Sequence, residues 1–115
     1  MQRVQGAISQ EDQEWLEALE TCLKSQLSNT GFSIAQLADE FSMSESTLLR
    51  RVKRLVGLSP MKYLQEIRLN EARQLLEQRK FNSISRVAYE IGFNDPKAFT
   101  RSFKKRFGKT PSAYL

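Results

Sequence analysis

Two runs of cations carry most of the chemistry this sequence can do. Ser46, Arg50, Lys53 and Arg54 recur at the spacing of one helical face, and so do Lys97, Arg101, Lys104 and Lys105. Arginine offers a planar fork that fits a phosphate or the O6/N7 edge of guanine, and lysine offers a mobile point charge. Rows of such groups suit a polyanion. Other chemistries are excluded by what is missing. The 115 residues contain no His, which removes the Ser-His-Asp triad, the Cys-His pair and nearly every zinc site. Cys22 is the lone cysteine, so no internal disulfide is possible, which fits a reducing compartment. The five glycines include no phosphate-cradling spacing. No apolar run approaches the roughly 18 residues that span a bilayer, and no signal peptide is expected. Catalysis, a metal and a cofactor are all unexpected; recognition is what remains.

The charge distribution sharpens this. The net +5 conceals an acidic stretch, residues 1–47, with two basic against eight acidic residues, a net of −6. Residues 48–115 hold sixteen basic and five acidic residues, a net of +11. The second part therefore wants a polyanionic partner, either nucleic acid or an anionic membrane surface, unless its cations merely solvate helix faces. With 40% hydrophobic and 27% charged residues, the chain reads as one globular domain.

Helical periodicity accounts for the whole chain. Residues 1–8 show none. Ser9 stands three before Asp12, the spacing of a capping box, and Trp15, Leu16, Leu19, Leu23 and Leu27 predict an acidic amphipathic helix over 10–28. Ser33 caps a short helix through about Phe41, with Ile34, Leu37, Ala38 and Phe41 on one face. Ser44 caps a third helix to Val56, with Leu48, Val52, Leu55 and Val56 apolar, and Gly57 is placed to stop it. Ser59 and Pro60 start a fourth helix that runs to about Gln78. Ser83 caps a helix over Ile84–Ile91, Gly92-Phe93-Asn94 break it, and Asp95-Pro96 open another to Phe107. Gly108 ends that one, and Pro111 starts a final turn. No strand pattern occurs, so an all-α fold is expected.

These elements repeat. A shift of fifty lays Ser33, Ile34, Ala38 and Glu40 on Ser83, Ile84, Ala88 and Glu90. A shift of fifty-one lays Arg50, Lys53, Gly57, Pro60, Tyr63 and Leu64 on Arg101, Lys104, Gly108, Pro111, Tyr114 and Leu115. Leu48, Val52 and Val56 fall on Phe99, Phe103 and Phe107. The unit is a short helix, a tight turn and a longer basic helix, used twice. That is the helix-turn-helix arrangement, whose second helix enters the major groove while the first crosses the backbone. Two plain helical hairpins are the alternative, but both basic stripes lie on the second helix, as groove entry requires.

Between the units, Ile67, Leu64, Leu75, Ala72, Leu76 and Leu69 spread over an arc of roughly 200° on a helical wheel. A helix packed on one side needs only about 100°. Both units are therefore expected to dock on this helix from different flanks. Its length, about 28 Å for residues 60–78, is comparable with the roughly 34 Å groove repeat, so the recognition helices are expected in successive major-groove segments. Arg68 falls inside the apolar arc; it either pairs with Glu40 or Glu90 or snorkels to solvent.

The sequence at this point resembles the AraC/XylS family of transcriptional regulators. The resemblance rests on Ile34-Ala35-x-Leu37-Ala38, Ser44-x-Ser46-x-Leu48-x-Arg50, Gly57-x-Ser59-Pro60 and Arg68-Leu69-x-x-Ala72-x-x-Leu75-Leu76. Val87-Ala88-x-x-Ile91-Gly92-Phe93 and Phe99-x-Arg101-x-Phe103-Lys104-x-x-Phe107-Gly108-x-x-Pro111 extend it to the second unit. It covers residues 33–115. It implies a homeodomain-like, seven-helix domain of two helix-turn-helix subdomains joined by a linker helix, binding double-stranded promoter DNA and usually activating transcription. The implied divisions are a linker remnant at 1–9, a leading helix at 10–32, the two units at 33–58 and 81–115, and the linker helix at 59–80.

Carried onto this sequence, the resemblance implies base-reading positions Ser46, Thr47, Leu49, Arg50 and Lys53 in the first unit, and Pro96, Lys97, Thr100 and Arg101 in the second. Arg50 and Arg101 are the candidates for paired contacts to guanine. Arg54, Lys104 and Lys105 are assigned to phosphates, and Arg68, Gly57, Gly92 and Gly108 to structure. Leu49 and Pro96 depart from the family pattern, standing where many members carry polar readers. Leu49 either touches a thymine methyl or makes no base contact, and Pro96 cannot donate a hydrogen bond. Glu45 either accepts from cytosine N4 or complements the helix terminus. Cys22 is read as a packing residue.

The resemblance further implies RNA polymerase as a partner, a cytoplasmic and nucleoid-associated location, no membrane contact, and oligomerisation through regions outside this sequence. The chain is expected to be the C-terminal output piece of a larger regulator, such as a hybrid two-component protein. The competing function is a basic helical interaction module that meets an acidic protein or binds nucleic acid non-specifically; two matching basic second helices argue against it.

Overall fold

Six short polar side chains set where the helices begin. In a computed structural model that describes residues 8–115, Ser9, Ser33, Ser44, Ser59, Ser83 and Asp95 each accept a backbone N–H in the first turn of the helix that follows. The helices are α1 (Gln10–Ser25), α2 (Ile34–Glu40), α3 (Glu45–Val56), α4 (Pro60–Glu77), α5 (Ile84–Glu90) and α6 (Pro96–Phe107). Pro60 and Pro96 occupy the opening turns of α4 and α6, where a missing N–H costs nothing. Gly57 and Gly108 end α3 and α6, as expected, and do so at φ 77° and 79°, a left-handed geometry that suits glycine. No strand occurs among the described residues.

Three details differ from the sequence reading. The seventh helix is a 3₁₀ turn, Pro111–Tyr114, closed by i→i+3 bonds such as Ala113 N–H to the Thr110 carbonyl at 3.1 Å. The first helix stops at Ser25 rather than 28. Its last turn tightens through Gln26 N–H to the Leu23 carbonyl at 3.1 Å, and Asn29 N–H then reaches the Gln26 carbonyl at 3.0 Å. This turn keeps Leu27 buried. At the other end of α1, only half of the expected capping box forms: Ser9 Oγ accepts from Asp12 N–H, but the Asp12 carboxylate is taken by arginines described below. The full box is at α2, where Ser33 and Gln36 cap one another. Of the linker remnant expected at 1–9, residues 1–7 lie outside the described residues.

The repeat is visible in three dimensions. α2 and α5 are seven residues each, and α3 and α6 are twelve each. The turn between them passes through a left-handed residue, Ser42 at φ 53° and Gly92 at φ 94°. Met43 and Phe93 then donate to Ala38 and Ala88 at 3.1 and 2.9 Å, closing equivalent turns. The repeat also reaches one helix further back than the sequence reading had it. Leu16, Leu19 and Leu23 of α1, and Leu69, Ala72 and Leu76 of α4, are buried triplets fifty-three residues apart. Each unit thus has three helices, with α1 serving the first and the later part of α4 serving the second.

Two separate cores follow. The first gathers Leu16, Leu19, Leu23, Leu27, Leu37, Leu48 and Val52 around Tyr63, Leu64 and Ile67 of α4. The second gathers Val87, Ile91, Phe99 and Phe103 around Leu69, Ala72 and Leu76. The two α4 groups lie about 170° apart around the helix axis, so α4 is buried on opposite flanks, as its wide apolar arc requires. Tyr63 belongs to the buried set that the arc had omitted. The second core is aromatic, with Phe93, Phe99, Phe103 and Phe107 meeting in sequence at centroid distances of 4.7–5.6 Å.

The units also touch directly at Gly92. A Cβ built there would lie 1.8 Å from the Leu27 carbonyl oxygen and 3.0 Å from Arg68 Nε, so the end of the first unit's lead helix rests on the second unit's turn. Gly92→Ala therefore meets both a positive φ and a backbone overlap, and should cost about 3–5 kcal/mol in urea unfolding. Gly57→Ala meets only the positive φ, with nothing within 4 Å, and should cost about 1–2 kcal/mol. Equal losses would show that the Leu27 contact does not constrain the fold.

Candidate nucleic-acid interface

The buried stripe of α3, Leu48, Val52 and Leu55, fixes what the helix shows to solvent. Ser46, Arg50 and Lys53 lie opposite it and are exposed, with Thr47 and Arg54 on one flank and Leu49 on the other. Ser46 and Thr47 are tied to the cap: Ser44 Oγ lies 3.3 Å from Ser46 Oγ and donates to Thr47 Oγ1 at 2.9 Å. The Lys53 ammonium donates to the Gly57 carbonyl at 3.2 Å, a bond that holds the helix end. Leu49 is 42% exposed, and with Arg50, Lys53, Arg54 and Ser59 it lines a shallow groove of about 560 Å³.

α6 presents the equivalent set. Phe99 and Phe103 are buried, while Lys97, Arg101, Lys104 and Lys105 are exposed. Pro96 and Thr100 are half-buried, Pro96 because it opens the helix beneath the Asp95 cap. Asp95 Oδ1 accepts from Lys97 N–H at 3.0 Å, which fixes the first turn. Arg50, Lys97, Arg101, Lys104 and Lys105 have no ion-pair partner among the described residues. Arg50 on α3, and Lys97, Arg101, Lys104 and Lys105 on α6, are thus exposed cations available to a polyanion.

Arg54 stands apart. Its Nη1 and Nη2 donate to the Asp12 carboxylate at 3.2 and 3.3 Å, and Arg51 Nη2 donates to the same carboxylate at 3.1 Å. The hydrogen bond from Arg54, reinforced by Arg51, holds the Asp12 carboxyl below the usual carboxylate range. Arg51 also lies over the Trp15 ring at 4.3 Å, and Trp15 packs on Phe41 at 5.5 Å. Arg51, Asp12 and Trp15 are partners that wheel reasoning missed. Arg51 sits 39 residues from Asp12 and 36 from Trp15 in sequence, and only its position at the edge of the buried stripe hinted at a partner. A second such tie is Glu66 of α4, which Arg106 of α6 meets at 2.6 Å. That hydrogen bond raises the pKa of the Arg106 guanidinium further.

Two structural assignments resolve here. Arg68 makes no ion pair with Glu40 or Glu90, and Glu90 is instead held by Arg86 at 3.0 Å. Arg68 does not snorkel freely either: its Nε is buried without a hydrogen-bond partner beside Gly92, and burial lowers its pKa. The absence of a side chain at Gly92 makes that space. Cys22 is half-buried against the first core, and burial together with Glu40 raises its pKa, which leaves it a packing thiol.

Comparison with known proteins fits this geometry. A family model described as a helix-turn-helix domain matches residues 37–115. The chain is 36% identical over 107 residues to a protein named histidine kinase P4 from Formosa agariphila, covering 93% of this chain and 8% of that protein. It is 40% identical over 77 residues to the HTH-type transcriptional activator RhaS of Pectobacterium atrosepticum, covering 67% of this chain and 27% of that one. The DNA-binding domain of AdpA, a global transcriptional factor solved in complex with a target DNA, is 31% identical with a TM-score of 0.76, covering 86% of this chain and 87% of that one. The chain spans less than a third of the length of the histidine kinase and of the RhaS activator that it matches.

The Asp12 cluster makes a pH-dependent contribution to stability. A carboxyl whose pKa is lowered on folding stabilises the fold fully above its unfolded value, about 3.9, and loses that contribution as pH falls through the folded value. Wild type should therefore melt above Asp12→Asn at pH 7, with the gap in Tm closing below about pH 4. A gap of the same size at pH 7 and pH 2 would show that the carboxylate charge is not what the arginines hold.

Proposed function

The chain belongs to the AraC-type helix-turn-helix family, and from that premise we propose how it reads its operator. Its function is sequence-specific binding of double-stranded DNA in transcription regulation. In our reading, α3 and α6 enter successive major-groove segments on one face of the duplex. The observation that carries this is the register of the two helices: Ser46 and Lys97, Arg50 and Arg101, Lys53 and Lys104, and Arg54 and Lys105 are equivalent exposed pairs on helices of equal length. α4, about 27 Å long and buried on two flanks, supports a spacing near one turn of DNA.

Arg50 and Arg101 take the central reading positions, each with a fork free to meet guanine O6 and N7. Ser46, Thr47, Lys53, Lys97 and Thr100 read beside them. Leu49 and the apolar floor of its groove suit a thymine methyl, and Pro96 contributes shape without a donor. Lys104 and Lys105 hold phosphates, whereas Arg54, assigned to phosphate by the resemblance, is engaged by Asp12. We place the chain in the cytoplasm, on the nucleoid, as an activating output module that contacts RNA polymerase. The match to a protein named as a histidine kinase supports placing it in a hybrid two-component regulator.

Selection from a random duplex library tests the reading. It should return two half-sites about 10 base pairs apart. Arg50→Ala and Arg101→Ala should each cost about 1–3 kcal/mol and relax preference at one base pair, in different half-sites. A single half-site, or equal losses on scrambled DNA, would overturn the bipartite reading.

A further inference from the structure

Arg54 and Lys105 occupy equivalent places on the two recognition helices, and only Arg54 has its charge answered within the protein. Both terminal nitrogens of Arg54 are on Asp12, at 3.2 and 3.3 Å, whereas Lys105 is exposed and has no carboxylate partner among the described residues. The difference traces to the helix preceding each unit. By the fifty-three-residue offset of the buried triplets, the counterpart of Asp12 in α4 is Gln65, which carries no charge.

Asp12 is well fixed. It lies in the first turn of α1, its N–H donates to Ser9 Oγ at 3.0 Å, and its side chain is 16% exposed. The helix terminus favours its negative charge. Arg51, the second partner, is pinned over the Trp15 ring and is itself 22% exposed. An isolated exposed pair holds an arginine weakly, but here the carboxylate is covered and already oriented by a second guanidinium. Arg54, at 59% exposure, stands on the rim where the α3 surface meets α1.

We infer that Asp12 is a positioning residue that withholds Arg54 from phosphate, so that the second unit supplies most of the non-specific grip and the first unit is left to read bases. The inference rests on the DNA-binding function and adds to it a division of labour between the units. One cation is removed from the first unit's phosphate contacts, and sequence-independent affinity falls by the corresponding counterion release.

The test measures binding of this chain to a random-sequence duplex as salt is varied. Each phosphate contact contributes about 0.9 to the slope of log K against log salt. Lys105→Ala should lower that slope by about 0.9, and Arg54→Ala should leave it nearly unchanged. Asp12→Asn should raise the slope by about 0.9 and tighten non-specific binding up to about eightfold at roughly 0.1 M salt. Adding Arg54→Ala to Asp12→Asn should abolish both gains. Equal slope losses for Arg54→Ala and Lys105→Ala, or a gain in Asp12→Asn that survives without Arg54, would overturn the inference. Should Asp12→Asn fail to fold, the two exposed single variants decide the matter alone. The slopes are measured on random DNA, so they can fail while operator selection succeeds, and the reverse.

Discussion

Helix α4 buries Tyr63, Leu64 and Ile67 in one core and Leu69, Ala72 and Leu76 in the other, on flanks about 170° apart. A helix with one apolar face could hold one helix-turn-helix unit; a second unit needs a second face. Each fully buried aliphatic side chain contributes about 1.5–3 kcal/mol, so neither unit can leave α4 without losing several kcal/mol of burial. The relative placement of α3 and α6 is therefore a property of packing rather than of a flexible linker. Two further ties stiffen it: the Leu27 carbonyl seated on Gly92, and Glu66 of α4 held by Arg106 of α6. In the proposed reading, such a rigid two-helix reader imposes a fixed half-site spacing on its operator, a specificity device alongside the base contacts.

The two units solve one architectural problem with different side chains. The first fills its recognition helix with Leu48, Val52 and Leu55, and the second with Phe99 and Phe103. The larger rings let the second unit make its core from a shorter set of buried positions, with Tyr114 of the closing turn meeting Phe103 edge-on at 5.5 Å. The turn residues differ in the same spirit. Ser42 adopts φ 53° in the open, whereas Gly92 must be glycine because another backbone approaches it. The asymmetry is imposed by the neighbour, since only the second turn supports the end of α1.

Whatever depends on local pattern was legible in the sequence. Caps, proline starts and glycine stops follow from residue chemistry within four positions, so the α2, α3, α5 and α6 boundaries and the all-α class could be read directly. The exposed faces of α3 and α6 followed from periodicity, which placed Arg50 and Arg101 on the solvent side of their own helices. Pairings of distant side chains were not legible. Asp12 had an apparent local use in a capping box, and nothing in its spacing pointed to Arg51 and Arg54, about forty residues on. Arg68 lay in the apolar arc, but neither the carboxylate pair nor the snorkelling expected of it occurs, because the space it occupies is created by Gly92 on another helix pair. The third helix of each unit was missed because Leu16, Leu19 and Leu23 align with Leu69, Ala72 and Leu76 at an offset different from that of the rest of the repeat.

The departures at Leu49 and Pro96 gain a physical sense from their surroundings. Pro96 lacks an N–H, yet its fixed φ and the Asp95 cap set the first turn of α6, so the helix enters any groove with Lys97 and Arg101 already directed outward. In the proposed reading, the base contacts of the second unit are thereby moved inward from the helix start. In the first unit, Leu49 is kept exposed beside Arg50 and Lys53 in a groove whose floor is mostly apolar. An apolar surface between cations is costly to leave in water and has one natural complement on a base edge, the thymine methyl. In the proposed reading the two helices thus divide the readout: the first combines an arginine fork with an apolar contact, and the second relies on charged donors held by a rigid start.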